Sequence, residues 1–309
     1  MKSKIYKLII SILNVLPFKK RIFRLLKLIF KDTSKFSQDL NFIGAFKIQW
    51  HSKNVSFYNY GGSIENSIFW NELDEYEKEA NWAWNTLAKS SNIIFDIGAN
   101  TGVYSVMSKV VNPSAKVFAF EPSINTFKKL KKNIELNKMD VVCEQIAVSD
   151  SDKIETFYDV PDEHQKSASL SPEKLKNWGG YKGEIIEYDM QCSTLDSYIS
   201  KNNITSIDLM KIDVEMHEPE ALKGFKKHLD LFKPIMMIEV LTQDIANQLK
   251  PLLPNDTYRI IHLSGPRNSK LIKDFIIDYD HYNFLVYHKD NDEKILELID
   301  NFADFNPFN

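Results

Sequence analysis

At 309 residues, 43% apolar and 26% charged, the chain has material for one large globular domain plus an appendage, and its composition excludes global disorder. The formal charge of −3 conceals an asymmetry: residues 1 to 31 hold nine Lys or Arg and no acid, leaving 30 basic and 42 acidic residues, so the tail is +9 and the body −12. An acidic body argues against a nucleic-acid enzyme, whose catalytic domain needs a basic face for polyanionic phosphate.

Cys143 and Cys192 stand far apart without a C-x-x-C pair, which gives neither a disulfide framework nor a thiolate zinc site and fits a reducing cytoplasmic setting. The apolar stretch Leu8 to Phe18 contains Asn14 and Pro17 and is too short to cross a bilayer core. Lys19-Lys20-Arg21 follows it with no small-residue cleavage site, so the expectation is a retained segment rather than a signal peptide.

Residues 1–32 read as a basic amphipathic N-terminal helix. From Phe18, apolar Ile22, Leu25, Leu26, Ile29 and Phe30 recur at helical spacing among Arg21, Arg24, Lys27 and Lys31. Such a helix either lies in an anionic lipid interface, which would put the protein at the inner face of the membrane, or packs on the body. Residues 33–90 form a hairpin and helix region. FKIQW and VSFYNY, within residues 42 to 70, alternate like β-strands around polar turns and Gly61-Gly62, and a helix follows over about 74–89 with Trp82 and Trp84 as packing residues.

Over residues 91–290 apolar strands alternate with amphipathic helices, which predicts an α/β fold with a doubly wound, mostly parallel sheet. The strands are expected at 93–97, 116–120, 141–146, 207–213 and 234–241. The helices are expected at 102–111, 123–137 and 219–231, the second with Ile124, Phe127, Leu130 and Ile134 on one face. Between Ser149 and Leu195, KIETFYDV and EIIEYDM flank a loop with Ser167, Ser169, Trp178, Gly179, Gly180 and Tyr181, whose aromatics either stack on a sugar or anchor the loop. TYRIIHL and HYNFLVYHK read as an antiparallel C-terminal strand pair, and 291–309 as a tail.

The strongest site signal is the run from Ile93 to Gly102, IIFDIGANTG, an apolar strand ending in a carboxylate and a glycine-bearing turn ahead of a helix. Gly98 and Gly102 let the backbone approach a ligand at the carboxyl end of a strand, where open α/β sheets bind them. The spacing is not the G-x-G-x-x-G that seats a pyrophosphate, and Asp96 would repel one. Asp96 suits instead the amino group of a methionine moiety. The next strand ends in Glu121, placed either to accept both ribose hydroxyls or to cap the helix opening at Pro122.

Lys211 to Glu218, KIDVEMHE, lies at another strand end, where His217 could remove the proton of a hydroxyl acceptor. The alternative is that Glu215 and Glu218 cap the next helix while Asp213 and His217 bond to backbone. Glu239 is an isolated acid in an apolar strand, costly unless paired or functional, and could meet acceptor or metal with Asp213 opposite. Nothing in the spacing requires a metal, and the seven histidines form no zinc-type cluster.

The ordered motifs IIFDIGANTGVYS, VFAFEPS, IAVSD, STLD, IDLMKIDVEMHEPEALKG and PIMMIEV resemble the FkbM family of S-adenosylmethionine-dependent methyltransferases, over roughly residues 75 to 288. The resemblance implies a class I methyltransferase fold, Rossmann-like, and O-methylation of a hydroxyl on a glycan, glycolipid or related natural product. It puts Asp96, Gly98, Asn100 and Gly102 around the methionine part, Glu121 at the ribose and Ala147 near the adenine. Met216 stands where that family usually has Gly, which would narrow the acceptor side. The rival readings are an NAD-dependent oxidoreductase, which lacks its fingerprint here, and a non-catalytic nucleoside-binding scaffold at a membrane.

Overall fold

The structure, a computed structural model, describes residues 2–29, 39–73, 76–160, 185–265, 269–278 and 280–303. They divide into two compact units, Met1–Lys78 and Glu79–Asn309.

The first unit begins with α1 (Lys2–Val15) and α2 (Lys19–Ile29). A hairpin follows, β1 (Ile43–Trp50) against β2 (Lys53–Tyr60), turned by His51 and Ser52. Both have positive φ, 46° and 59°, as a two-residue type I′ turn requires. The expected β region stops at Tyr60: after Gly62 the chain enters α3 (Ser63–Asn71), because Ile68, Phe69 and Trp70 bury together on one helical turn. Phe69 meets Phe42 and Phe46 edge-on at 4.6 and 5.5 Å, and the Trp70 indole donates to the Leu40 carbonyl at 3.0 Å.

The second unit opens with α4 (Lys78–Ala88), whose fully buried Trp84 donates to Ser108 Oγ at 2.9 Å and meets the Tyr104 ring at 5.3 Å. Its core is an eight-stranded sheet in the order β12-β11-β13-β10-β9-β3-β4-β5. The strands β3 (Ile93–Ile97), β4 (Lys116–Phe120), β5 (Val141–Glu144), β9 (Leu209–Ile212) and β10 (Ile235–Glu239) run parallel. The strands β11 (Tyr258–His262) and β13 (Asn283–His288) form the expected antiparallel pair, and β12 (Lys270–Ile272) adds a short edge strand. Because β4 and β5 extend one way from β3 while β9 and β10 extend the other, the strand order reverses between β3 and β9, the point at whose carboxyl ends open α/β sheets bind ligands.

Helices α5 (Val103–Val111) and α6 (Ile124–Asn137) carry the first crossovers. Leu130 and Ile134 are buried as expected, but Ile124 is exposed, because Thr126 and Lys129 turn inward with them. The helix expected over 219–231 is broken into α8 (Glu218–Lys223) and α9 (Lys226–Phe232), following α7 (Leu195–Lys201). The break falls at Gly224, where a Cβ would stand 2.0 Å from the Ser149 carbonyl oxygen. Close packing, not helix propensity, sets that boundary.

The strand expected over 141–146 is also divided. β6 (Ala147–Val148) leaves the main sheet and pairs with β8 (Ile186–Ser193), which pairs in turn with β7 (Lys153–Asp159). The loop of Ser167, Ser169, Trp178, Gly179, Gly180 and Tyr181 lies outside the described residues. After β10 comes α10 (Gln243–Leu249), and after β13 comes α11 (Asp292–Ala303), which buries Ile295 and Leu298.

Candidate active site

The glycine turn sits at the reversal of strand order. Gly98 and Ala99 donate to the Phe120 carbonyl at 3.0 and 2.9 Å, and Asp213 N–H donates to the Ile97 carbonyl at 3.0 Å. Gly98 takes φ of 77°, and a Cβ there would lie 1.7 Å from the Asp213 carbonyl oxygen, so only glycine lets β3 and β9 close side by side. Gly102, with φ of 86°, is the left-handed cap from which α5 starts. Asp96 is buried beneath this turn, with Ser105 Oγ donating to it at 2.6 Å. Burial raises its carboxyl to about 6 against the pull of that hydroxyl and of Lys211.

Glu121 is buried one strand away and holds the turn from below. Its Oε2 accepts the Asn100 N–H and its Oε1 the Ser123 N–H, both at 2.9 Å. Asn100 is left-handed, with φ of 50°, which aims its N–H at the acid. A carboxylate has about four lone-pair sites, so acceptor capacity remains for two hydroxyls. The helix-capping alternative is realised by Ser123 itself, whose Oγ accepts the Thr126 N–H.

Burial pushes Glu121 up to about 8, against the two N–H bonds. Below that pH protonation is favoured in the free protein, whereas a nucleoside whose two ribose hydroxyls donated to this acid would favour the ionised form and release a proton on binding. The dissociation constant of such a nucleoside should therefore rise as pH falls below 8, approaching about tenfold per unit. Calorimetry in two buffers of different ionisation enthalpy near neutral pH should detect proton release. Affinity that is flat across this range would exclude the linkage.

The loop after β9 concentrates charge. Lys211 is buried, pairs with Asp213 and lies 4.5 Å from the Tyr104 ring centroid. Glu218, also buried, accepts the N–H groups of Val214 and Met216 at 3.1 Å, folding the loop over its own carboxylate instead of capping α8 by a side chain. Glu215 and Met216 are consecutive left-handed residues, φ 53° and 70°. Glycine suits such a conformation, yet Met216 takes it here and its side chain packs against the core.

Burial raises Glu215 to about 8 and Glu218 to about 7, each raised further by Asp213. Glu239, at the end of β10, is held well above the usual carboxylate range by burial and then by Asp213 and Glu215. Asp213 thus lies near enough to Glu239 to raise its carboxyl. His217 points its Nε2 at Ser149 Oγ, 3.0 Å away, with Nδ1 3.5 Å from Glu220. Ala147 is buried with Phe157, Met190 and Cys192 on the small sheet. Among the described residues no group of three or more His, Cys, Asp or Glu is arranged to hold a metal ion.

Residue-by-residue reading missed Lys211, Ser105 and Ser149. Only Lys211 carries a signal, the same one that marks Glu239: a lone charge in an apolar strand. The small sheet is tied to the turn after β4 by buried Asp159, which accepts from Ser123 Oγ at 2.7 Å and Tyr188 OH at 2.8 Å. That bond anchors the end of β7, where the 161–184 connection begins, to the turn bearing Glu121.

Asp213 pushes up the carboxyls of Asp96, Glu215, Glu218 and Glu239, and Asp96 that of Glu121, while Lys211 pulls down those of Asp96, Glu215 and Glu239. Where burial keeps these acids protonated they are neutral hydrogen-bonding groups, and where they ionise they favour a cation over a pyrophosphate. With the parallel order β5-β4-β3-β9-β10 closed by antiparallel β13 and β11, these features define a class I methyltransferase fold. The Methyltransferase FkbM domain model matches residues 96–260, more than half of the chain. The chain belongs to the FkbM methyltransferase family, whose cofactor is S-adenosylmethionine, which sets aside the oxidoreductase alternative.

Among its relatives is the 31-O-demethyl-FK506 methyltransferase FkbM of Streptomyces tacrolimicus, 30% identical over 44% of this chain and 60% of that protein. The hexuronic acid methyltransferase AglP of Haloferax volcanii is 26% identical over 46% and 53% respectively. The 2-O-methyltransferase NoeI of Sinorhizobium fredii is 28% identical over 46% and 61%. The chain thus spans less than two thirds of each of these relatives.

Proposed function

We propose that the protein is an O-methyltransferase that methylates a hydroxyl of a carbohydrate or lipid-linked glycan. The observation that carries this reading is the pairing, across the reversal of strand order, of a nucleoside-type cradle with acids of raised pKa at the ends of β9 and β10. The sugar class is supported by the names of two relatives, a hexuronic acid methyltransferase and a 2-O-methyltransferase.

S-adenosylmethionine supplies an electrophilic methyl group on a sulfonium. Gly98, Asn100 and Gly102 shape the backbone around its amino-acid part, Asp96 offers the oxygen not held by Ser105 to the ammonium, Glu121 receives the ribose hydroxyls and Ala147 flanks the adenine. On the acceptor side Glu239 takes the proton of the attacking hydroxyl, burial having raised its basicity above that of an ordinary carboxylate. Asp213, paired with Lys211, accepts a neighbouring hydroxyl and orients the sugar. His217, bonded to Ser149, lines the same loop.

Incubating lipid and polysaccharide extracts with protein and isotopically labelled S-adenosylmethionine should place label on a sugar oxygen, located by mass spectrometry. The Glu239→Gln variant should lower kcat by about 10²- to 10⁴-fold while leaving cofactor affinity within about twofold. Cofactor binding without transfer to any hydroxyl acceptor would leave a nucleoside-binding scaffold instead.

A further inference from the structure

Helices α1 and α2 leave an apolar face that the described chain does not cover. On α1, Leu8, Ile12 and Val15 recur at helical spacing and are exposed, Val15 to 80%. On α2, Leu25, Leu28 and Ile29 are exposed, Leu28 to 83%. Phe18, in the turn between the helices, is exposed as well. The opposite face of α2 is occupied: Phe23 is buried 5.6 Å from the Trp70 ring, and Lys27 donates to the Phe69 carbonyl at 3.0 Å and to Glu72 at 2.9 Å. Of the two fates open to this helix in sequence, packing on the body therefore accounts for one face and leaves the other.

We infer that α1 and α2 form a peripheral docking surface for an anionic lipid bilayer. The charge chooses this occupant. Residues 1 to 31 contain nine Lys or Arg and no acid, and Lys7, Arg21 and Arg24 are exposed beside the apolar residues. A second copy docked through the same face would set like charges against each other across the contact. Anionic lipid offers acyl chains to the leucines and headgroups to the cations at once. With 14 and 11 residues, neither helix is long and apolar enough to cross a membrane, so both would lie in the plane of the interface.

The test uses the full chain and no turnover, so its failure is separable from failure of the methyl-transfer reading. Vesicles of phosphatidylcholine with about one third phosphatidylserine should sediment the protein at low salt, with partitioning weakened at least about tenfold by molar salt or by pure phosphatidylcholine. The Leu25→Glu/Leu28→Glu variant, altered only at exposed positions, should keep its melting temperature and S-adenosylmethionine affinity yet stay in the supernatant. Full-length protein that ignores the anionic vesicles at low salt overturns the inference. So does a variant that still sediments with them, or a dimer broken by the variant in protein that binds no vesicles.

Discussion

Replacing Glu121 with Gln should weaken binding of S-adenosylmethionine by roughly 10- to 100-fold, the equivalent of losing charge-assisted hydrogen bonds from two ribose hydroxyls. An amide keeps the volume but has one acceptor oxygen where the native acid uses both, for Asn100 and Ser123. One of those N–H groups would face an NH₂, so stability should also fall, by about 1–3 kcal/mol. The pH dependence assigned to this acid should vanish with it, which separates a role in binding from mere damage to the turn. Equal cofactor affinity in variant and parent, by calorimetry on folded protein, would remove Glu121 from the ribose site.

Gly98→Ala should be the most damaging single methyl group in the cradle. The new Cβ would meet backbone, the Asp213 carbonyl at 1.7 Å, and that carbonyl cannot swing aside while Asp213 N–H is bonded to Ile97. The positive φ adds a second penalty. Loss of about 3 kcal/mol or more is expected, a fall in melting temperature of about 6–12 °C, together with loss of cofactor binding. Gly102→Ala is the control. Its Cβ would lie 2.6 Å from Leu130 Cδ1, the far end of a flexible side chain, so a cost nearer 1 kcal/mol is expected. If Gly98→Ala melted with the parent protein, the closeness of β3 to β9 would not be the constraint inferred here.

Both predictions concern residues that sequence reading had already singled out, and the reason is local. A glycine after an apolar strand and an acid ending the next strand are single-residue signals, because backbone conformation and strand termini leave a mark within a few positions. Gly224 left no such mark. Its break in the helix expected over 219–231 arises from the carbonyl of Ser149, which is distant in sequence. The departure of β6 from the main sheet likewise follows from pairing with β8, some forty residues later. Ile124 kept its helical spacing but lost its place inside, because α6 is rotated to bury Thr126 and Lys129.

The acceptor side divides in the same way. Glu239 and Asp213 were legible as acids at strand ends, whereas the bonds from Glu218 to Val214 and Met216, and from Ser149 to His217, depend on how the loop folds back.

By itself the sequence determined the alternation of strands and helices, the glycine turn and the acids around it, because apolar periodicity and left-handed backbone are written in neighbouring residues. Only the tertiary structure decided that Asp213 comes near enough to Asp96 and Glu239, and Asp96 to Glu121, to push those carboxyls up. Electrostatic coupling acts through space, and the distances that set it exist only once β3, β4, β9 and β10 lie side by side.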